Sequence, residues 1–304
     1  MNLAVLEILN KNYDPAKENF SQALLLAREN NQTAVLISIL NNFANLEYIL
    51  DNYAAAKRYL DESVQLSAEN GSRRELSHSQ VHLANIAIKE NDLDEAEKLL
   101  LDSLQLRKNL DFSWGIANSL RGLGELKDLQ GDFKAAHSYF KDALTITIES
   151  KNQWEIIALN SLIGQNLVSQ EAYEAAAQQM IEVLNTGIDH PEALVEIFLG
   201  SARLILDNSI INEADKSFAF ELFGFVQGYE KSTAMAVNRA ETLADQYAQH
   251  ISAELATAKL ASGKSLTLDK VKQKLQHLLS SFTDDTNISA LAASQVSTEL
   301  NAQH

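Results

Sequence analysis

Gly131-Asp132-Phe133-Lys134-Ala135-Ala136-His137-Ser138-Tyr139-Phe140-Lys141-Asp142-Ala143-Leu144 is the stretch from which the rest of the chain can be read, because versions of it return every forty positions. Its Ala136 falls in line with Ala16, Ala56, Ala96 and Ala176, and its Phe133 with Tyr13, Tyr53, Leu93 and Tyr173. Its Phe140 falls in line with Phe20, Leu60, Leu100 and Met180. Five copies in register, without insertion or deletion, are not a chance pattern. A fixed period of this length marks a stacked repeat array, a surface for holding something more than a place for bond-making.

Each unit reads as a pair of helices. The second helix of each pair opens at Asn12, Asn52, Asp92 and Asp132, whose side-chain oxygens are expected to cap orphan backbone N–H groups. Asp92 with Glu95 has the form of a capping box, and Pro15 falls in a first turn, where a missing N–H costs little. Phe133, Ala136, Phe140, Ala143 and Leu144 step by three and four, which makes one buried stripe. The first helices carry their own beat, Phe43-Ala44, Leu83-Ala84, Leu123-Gly124 and Ile163-Gly164. A small residue there lets two helices cross closely. Trp114 and Trp154, also forty apart, are expected to pack at the helix junction.

These small and aromatic positions resemble the tetratricopeptide repeat, in a long variety of about forty residues, met five times in register over residues 1 to 187. The resemblance implies an all-α fold, a right-handed α-α superhelix, here with a helical C-terminal extension. One departure is that the usual aromatic near the start of the first helix is replaced by Leu40, Gln80, Leu120 and Asn160. The expected organisation is a five-unit array over 1–187 with the first unit truncated, and a degenerate sixth helix pair over 188–230. C-terminal helices over 231–281 and a mobile tail over 282–304 follow. In the sixth pair, helices over 192–207 and 213–227 have Gly200 and Ala214 as small contacts. Residues 232 to 261 read as one long amphipathic pattern stopping at Gly263, after which Thr267 caps a final helix through Leu279.

The block from Arg239 to Leu279 is similar to the C-terminal end of large bacterial signalling proteins, in which a STAND-class switch module or another effector precedes a tetratricopeptide sensor. The start of the chain agrees with that likeness. Leu3, Ala4 and Leu6 are in register with Phe43, Ala44 and Leu46, so the chain begins in mid-helix with Leu3, Val5, Leu6, Ile8 and Leu9 on offer. Either the chain is a piece of a longer protein, or something else, such as a second copy, covers that end.

Composition narrows the functions. The chain has 304 residues, 46% of them hydrophobic and 22% charged, with two prolines, which suits a helix-rich protein. The net charge of −16 disfavours nucleic acid as partner and suits a protein, peptide or small molecule, although acidic surfaces also simply keep proteins dispersed. With no cysteine there is neither disulfide nor thiolate metal site, as in a reducing cytoplasm. No leader pattern and no long apolar run is seen, so a cytoplasmic protein without membrane contact is expected.

No catalytic set or cofactor is expected. Gly263-Lys264-Ser265 ends like a phosphate loop, but Ala258 stands where that motif needs glycine, and no strand precedes it. Gly122 and Gly124 sit inside a helix, not after a strand. His78 and His82 have metal-chelating spacing but no third ligand, so one solvated and one packed histidine is the plainer expectation. In tetratricopeptide proteins the first helices line a concave groove, so the resemblance implies a ligand row. Here that row comprises Ser38, Asn41, Asn45 and Tyr48, then His78 and Asn85, then Asn118, Arg121 and Glu125, then Gln165. Asn and Gln both donate and accept, which suits an extended peptide backbone. The expected function is a non-catalytic binding scaffold, the sensor or docking region of a larger signalling protein. The alternative is a free-standing regulator that binds a short signalling peptide.

Overall fold

The computed structural model describes residues 2–9, 12–185, 191–208 and 212–283. Among the described residues there are fifteen α-helices and no strand, the all-α class of the tetratricopeptide superhelix. The chain divides into two compact units, Met1–Asp132 and Phe133–His304.

The first unit holds α1 (Asn2–Leu9), α2 (Tyr13–Glu29), α3 (Thr33–Ile49), α4 (Tyr53–Glu69), α5 (Arg73–Lys89), α6 (Leu93–Asn109) and α7 (Ser113–Leu129). From α2 onward every helix has seventeen residues and every link three, so two helices and two links make the forty-residue beat. The links repeat because their backbone does. The middle residue is left-handed each time: Asn31 (φ 54°), Asp51 (58°), Gly71 (64°), Asn91 (61°) and Asp111 (49°). The next N–H then returns to a carbonyl five residues back, as in Gln32 to Ala27 (2.9 Å) and Phe112 to Arg107 (3.0 Å). This is how a helix end satisfies its last carbonyls, and Asn, Asp and Gly are the residues that tolerate it.

That turn corrects the expected caps. Asp92 does accept the Glu95 N–H (3.3 Å), but the Asn12 and Asn52 amides donate instead to Glu7 (2.7 Å) and Glu47 (2.9 Å). Asn12, Asn52 and Asp92 share nearly one backbone conformation (ψ 71°, 59° and 75°), so what separates them is the glutamate five residues back, to which an amide can donate and a carboxylate cannot.

The interior of this unit changes along its length. Near α1 to α4 it is apolar, with Phe20 stacked on Phe43 (5.4 Å) and Phe43 on Tyr59 (4.5 Å). Ala4 is sealed into this cluster, whereas Leu3 and Leu6 on the same helix are 56% and 55% exposed. From α4 to α7 the seams are polar: buried Ser63 faces Ser79 (2.9 Å), and buried Ser103 faces Ser119 (3.2 Å). In the layer of first helices, α3 touches α5 and α5 touches α7, while α2, α4 and α6 make no comparable contacts with one another. The layer with the closer neighbours lies on the inside of the unit's curve.

The second unit holds α8 (Phe133–Ser150), α9 (Gln153–Ser169), α10 (Tyr173–Asn185), α11 (Pro191–Asp207), α12 (Glu213–Gly228), α13 (Ala234–Gln246), α14 (Ala253–Gly263) and α15 (Leu268–Ser280). Here Phe198, Phe218, Phe220, Phe223 and Phe225 belong to one continuous buried cluster that also takes in Met180, Val271 and Leu275. Gly200 is a close contact as expected, since a Cβ there would meet Gln165 and Met180. Ala214 is not, being exposed. The close approach is made instead by Gly224 and Gly263, where any Cβ would run into the Leu260 or Glu221 carbonyl of the facing helix. The Gly-Lys-Ser run is thus a helix end pressed against α12. Glu221 is sunk there with Lys259 (2.8 Å) and Lys274 (2.7 Å). Burial alone would raise its carboxyl, but the two lysines outweigh it and hold the group below the usual range.

The expected long helix over 232–261 is broken by a 3₁₀ turn at Ala248–His250. Tyr247 is turned inward to donate to Asp207, and Ser252 restarts the helix by accepting the Leu255 N–H (3.2 Å). Thr267 precedes α15 but makes no side-chain cap. Residues 186–190 and the expected tail from 284 lie outside the described residues.

Candidate functional site

The inner row of the first unit is set by register. On α3, α5 and α7 the sequence-chosen positions recur at the same height on helices that touch in order. Ser38, Asn45, Tyr48, His78, Asn85, Asn118 and Arg121 are half-buried, and Glu125 is exposed. Burial raises the Tyr48 hydroxyl pKa, and the Glu125 carboxylate, two first helices away, adds to it. One electrostatic face therefore joins α3 to α7. Asn45 and Asn85 have no side-chain hydrogen-bond partner among the described residues, while Ser38 donates to its own helix at Ala34 (3.3 Å). Arg121 and Glu125 are 3.9 Å apart along α7.

Two members of the row sit differently. Asn41 is buried, its carbonyl accepting from Ser63 (3.1 Å) and Ser79 (2.8 Å), so it knits α3 to α4 and α5. Gln165 belongs to the second unit, where its amide donates to Ser161 (3.1 Å) and accepts from Arg239 (2.8 Å).

Sequence reasoning missed a group around Arg107. This arginine, on α6, is fully buried and touches no carboxylate among the described residues. Its Nε donates to Ser77 (3.1 Å), and its Nη1 to the Gly115 carbonyl (2.8 Å), Asn118 Oδ1 (2.9 Å) and Ser119 (2.9 Å). Its Nη2 meets His78 Nδ1 at 3.3 Å. Burial, unrelieved by any anion, brings the guanidinium pKa down to about 10. His78 and His82 are both pushed to about 4, first by burial and then by this cation, so neither is the solvated histidine expected. A guanidinium in contact with His78 also opposes a metal cation there, and no three metal-ligating side chains cluster among the described residues.

Trp114 is not packed away as expected. It is 48% exposed, its indole 5.9 Å from the His78 ring and 5.7 Å from Phe112, with the Arg74 guanidinium 4.0 Å over Phe112. Trp154 is likewise 43% exposed. The signal for Arg107 was present in the repeat: the same column holds Ala27, Ser67 and Thr147, so a long cation there is out of place.

The sequence profile of the tetratricopeptide repeat matches residues 35–109 and 75–149. No curated protein matches the chain by sequence. Among solved structures, a Rap protein complexed with Competence and Sporulation Factor superposes with a TM-score of 0.60 at 16% identity, over 90% of this chain and 74% of that one. BtubC from P. vanneervenii gives 0.54 at 13% identity, over 84% and 93%. A STAND protein with a tetratricopeptide repeat sensor from Pyrococcus horikoshii gives 0.53 at 14% identity, over 98% of this chain but 43% of its own. At such identities the likeness speaks for the fold. No described helix is long and apolar enough to cross a membrane. With the repeat profile, the link geometry and these superpositions in agreement, residues 35–149 carry tetratricopeptide repeats, a protein-interaction scaffold, and the chain has the all-α repeat fold.

Proposed function

We propose that the chain is a non-catalytic cytoplasmic scaffold that takes an extended peptide, or an extended segment of a protein partner, along the first-helix row of its first unit. In this reading it is the sensor or docking region of a larger signalling protein, and capture of the segment shifts the equilibrium of an attached effector. The observation that carries the reading is the pair Asn45 and Asn85. Two half-buried amides on touching helices, with no internal hydrogen-bond partner among the described residues, can each donate to and accept from a peptide backbone. The fold likeness to a Rap protein supports a binding role, because that protein is complexed with Competence and Sporulation Factor. The second reading is a free-standing regulator that binds a short signalling peptide; this chain spans 74% of the Rap structure and 43% of the STAND structure.

Native mass spectrometry of the purified chain tests the proposal. A co-purified peptide that disappears in Asn45→Ala/Asn85→Ala, with helicity unchanged, is the expected result. A double variant that retains the peptide as the parent does would remove the row from consideration. An effector in the same reading frame would favour the sensor role over the free-standing regulator.

A further inference from the structure

We propose that the groove, in the place where α5 meets α7, recognises a carboxylate, through donors that the buried Arg107 forces to face outward. The inference rests on the reading of the first-helix row as the ligand face.

A guanidinium only donates, so every group that touches it must turn an acceptor inward. His78 gives it Nδ1 and Asn118 gives it Oδ1. The neutral His78 ring must then carry its proton on Nε2, and the Asn118 amide must present its NH₂, both on the side away from Arg107. The two residues stand forty apart, at the same height on touching helices. One turn earlier on each helix stand Arg74 and Trp114, also forty apart. The groove at this height therefore offers donors and a cation and no acceptor from these four residues, beside a half-exposed indole and the Phe112 ring.

The charge balance points the same way. A buried cation normally has an anion beside it, because desolvation is otherwise uncompensated. Among the described residues neither Arg107 nor Arg74 has a carboxylate partner, although the chain carries a net charge of −16. The fixed charges that hold the His78 pKa down are those of Arg107 and Arg74, both positive. A ligand carboxylate accepting from His78 and Asn118 supplies the missing counter-charge, and an apolar neighbour on the ligand covers Trp114. The carboxylate can be a chain terminus or an acidic side chain.

Three tetrapeptides with a central phenylalanine separate these sources: one with a free C-terminus and no acidic residue, its C-terminal amide, and the amide with one aspartate. Trp114 fluorescence in a Trp154→Phe background reads binding, and NMR reads the His78 ring. We expect at least one carboxylate peptide to bind about tenfold or more tightly than the neutral amide, the worth of a charge-assisted hydrogen bond. Binding should also move the His78 pKa upward. Asn118→Asp should supply the counter-ion from within, raising the melting temperature and abolishing the preference. His78→Gln, which can still accept from Arg107 and donate outward, should keep most of it. Equal binding of acid and amide peptides, still lost in Asn45→Ala/Asn85→Ala, would overturn the carboxylate inference and leave the groove reading standing. Failure of all three peptides to bind, or a preference that survives Asn118→Asp, would overturn it as well.

Discussion

The two units share the left-handed helix link, which recurs in the second at Lys151 and Glu171, but they are filled differently. In the first, the seams from α4 to α7 are closed by Ser63, Ser79, Ser103, Ser119 and the buried Arg107. In the second, the interior from α9 to α15 is a continuous apolar cluster centred on five phenylalanines. Serine seams give short hydrogen bonds with little apolar area, so each net contribution is about 1 kcal/mol. A buried phenylalanine contributes roughly 2–3 kcal/mol through area alone. On the proposed reading, the comparison teaches that stability and recognition are divided along the chain. The first unit, apolar from α1 to α4 and polar from α4 to α7, carries the open amides, and the second carries the larger apolar core.

Each unit has one half-exposed tryptophan, Trp114 and Trp154, so single-tryptophan variants can report on the two separately. The largest effect is expected from Gly224→Ala, whose Cβ meets a backbone carbonyl that cannot move aside cheaply. About 3 kcal/mol should be lost from the Trp154 transition and much less from the Trp114 transition. Equal shifts in both would mean that the units unfold as one, and the division would fail.

The serine seam gives the next effect. Ser79→Ala removes one of the two hydroxyls that donate to Asn41 and should cost about 2 kcal/mol in urea melts followed at Trp114. Replacing the whole triad, Asn41→Leu with Ser63→Ala and Ser79→Ala, should restore or exceed parental stability, because no buried polar group is then left wanting. A triple variant as weak as the single one would show that the seam contributes more than these hydrogen bonds.

Acid should act on the first unit selectively. The folded values of His78 and His82 lie near 4, below the ordinary value of 6.5. Between those limits the unfolded chain takes up protons that the folded chain does not, so stability is present above pH 6.5 and is lost as pH falls toward 4. By pH 5 the loss should be on the order of 1–2 kcal/mol, allowing for solvent screening at half-buried His78. His82→Gln should flatten the Trp114 transition's pH dependence, and a flat parental profile would contradict the burial of both rings.

The smallest effect concerns α1, where Leu3, Val5 and Leu6 are exposed beside the sealed Ala4. We propose that this patch supports weak self-association. Sedimentation should show concentration dependence that Leu6→Glu removes, and a clean monomer at all concentrations would dismiss the idea.

Much of this was legible in the sequence, for reasons that differ from place to place. The forty-residue beat gave the helix pairs because Ala56, Ala96 and Ala136 occupy sites with no room for a larger side chain, each fully buried. The link column Asn31, Asp51, Gly71, Asn91, Asp111 and Gly131 was equally readable, yet Lys151 and Glu171 adopt the same left-handed conformation without its favoured chemistry. There the register of the neighbouring helices overrides local preference. The break after Gln246 was hidden, since it depends on Tyr247 reaching Asp207, forty residues earlier in the chain. Of the proposed ligand row, the half-buried members follow from period alone. The inward turn of Asn41 depends on serines in two other helices, which no single-helix pattern contains.

Site-specific photo-crosslinking in cells tests the central claim, that the first-helix row of the first unit is the binding face. A photoreactive side chain placed at Asn45 or Asn85 should yield a discrete adduct with a peptide or protein segment. The same group at Asp61, exposed on the second helix α4, should yield none. Adducts formed from Asp61 but not from Asn45 or Asn85 would place the binding face on the other side of the helix layer and contradict the account.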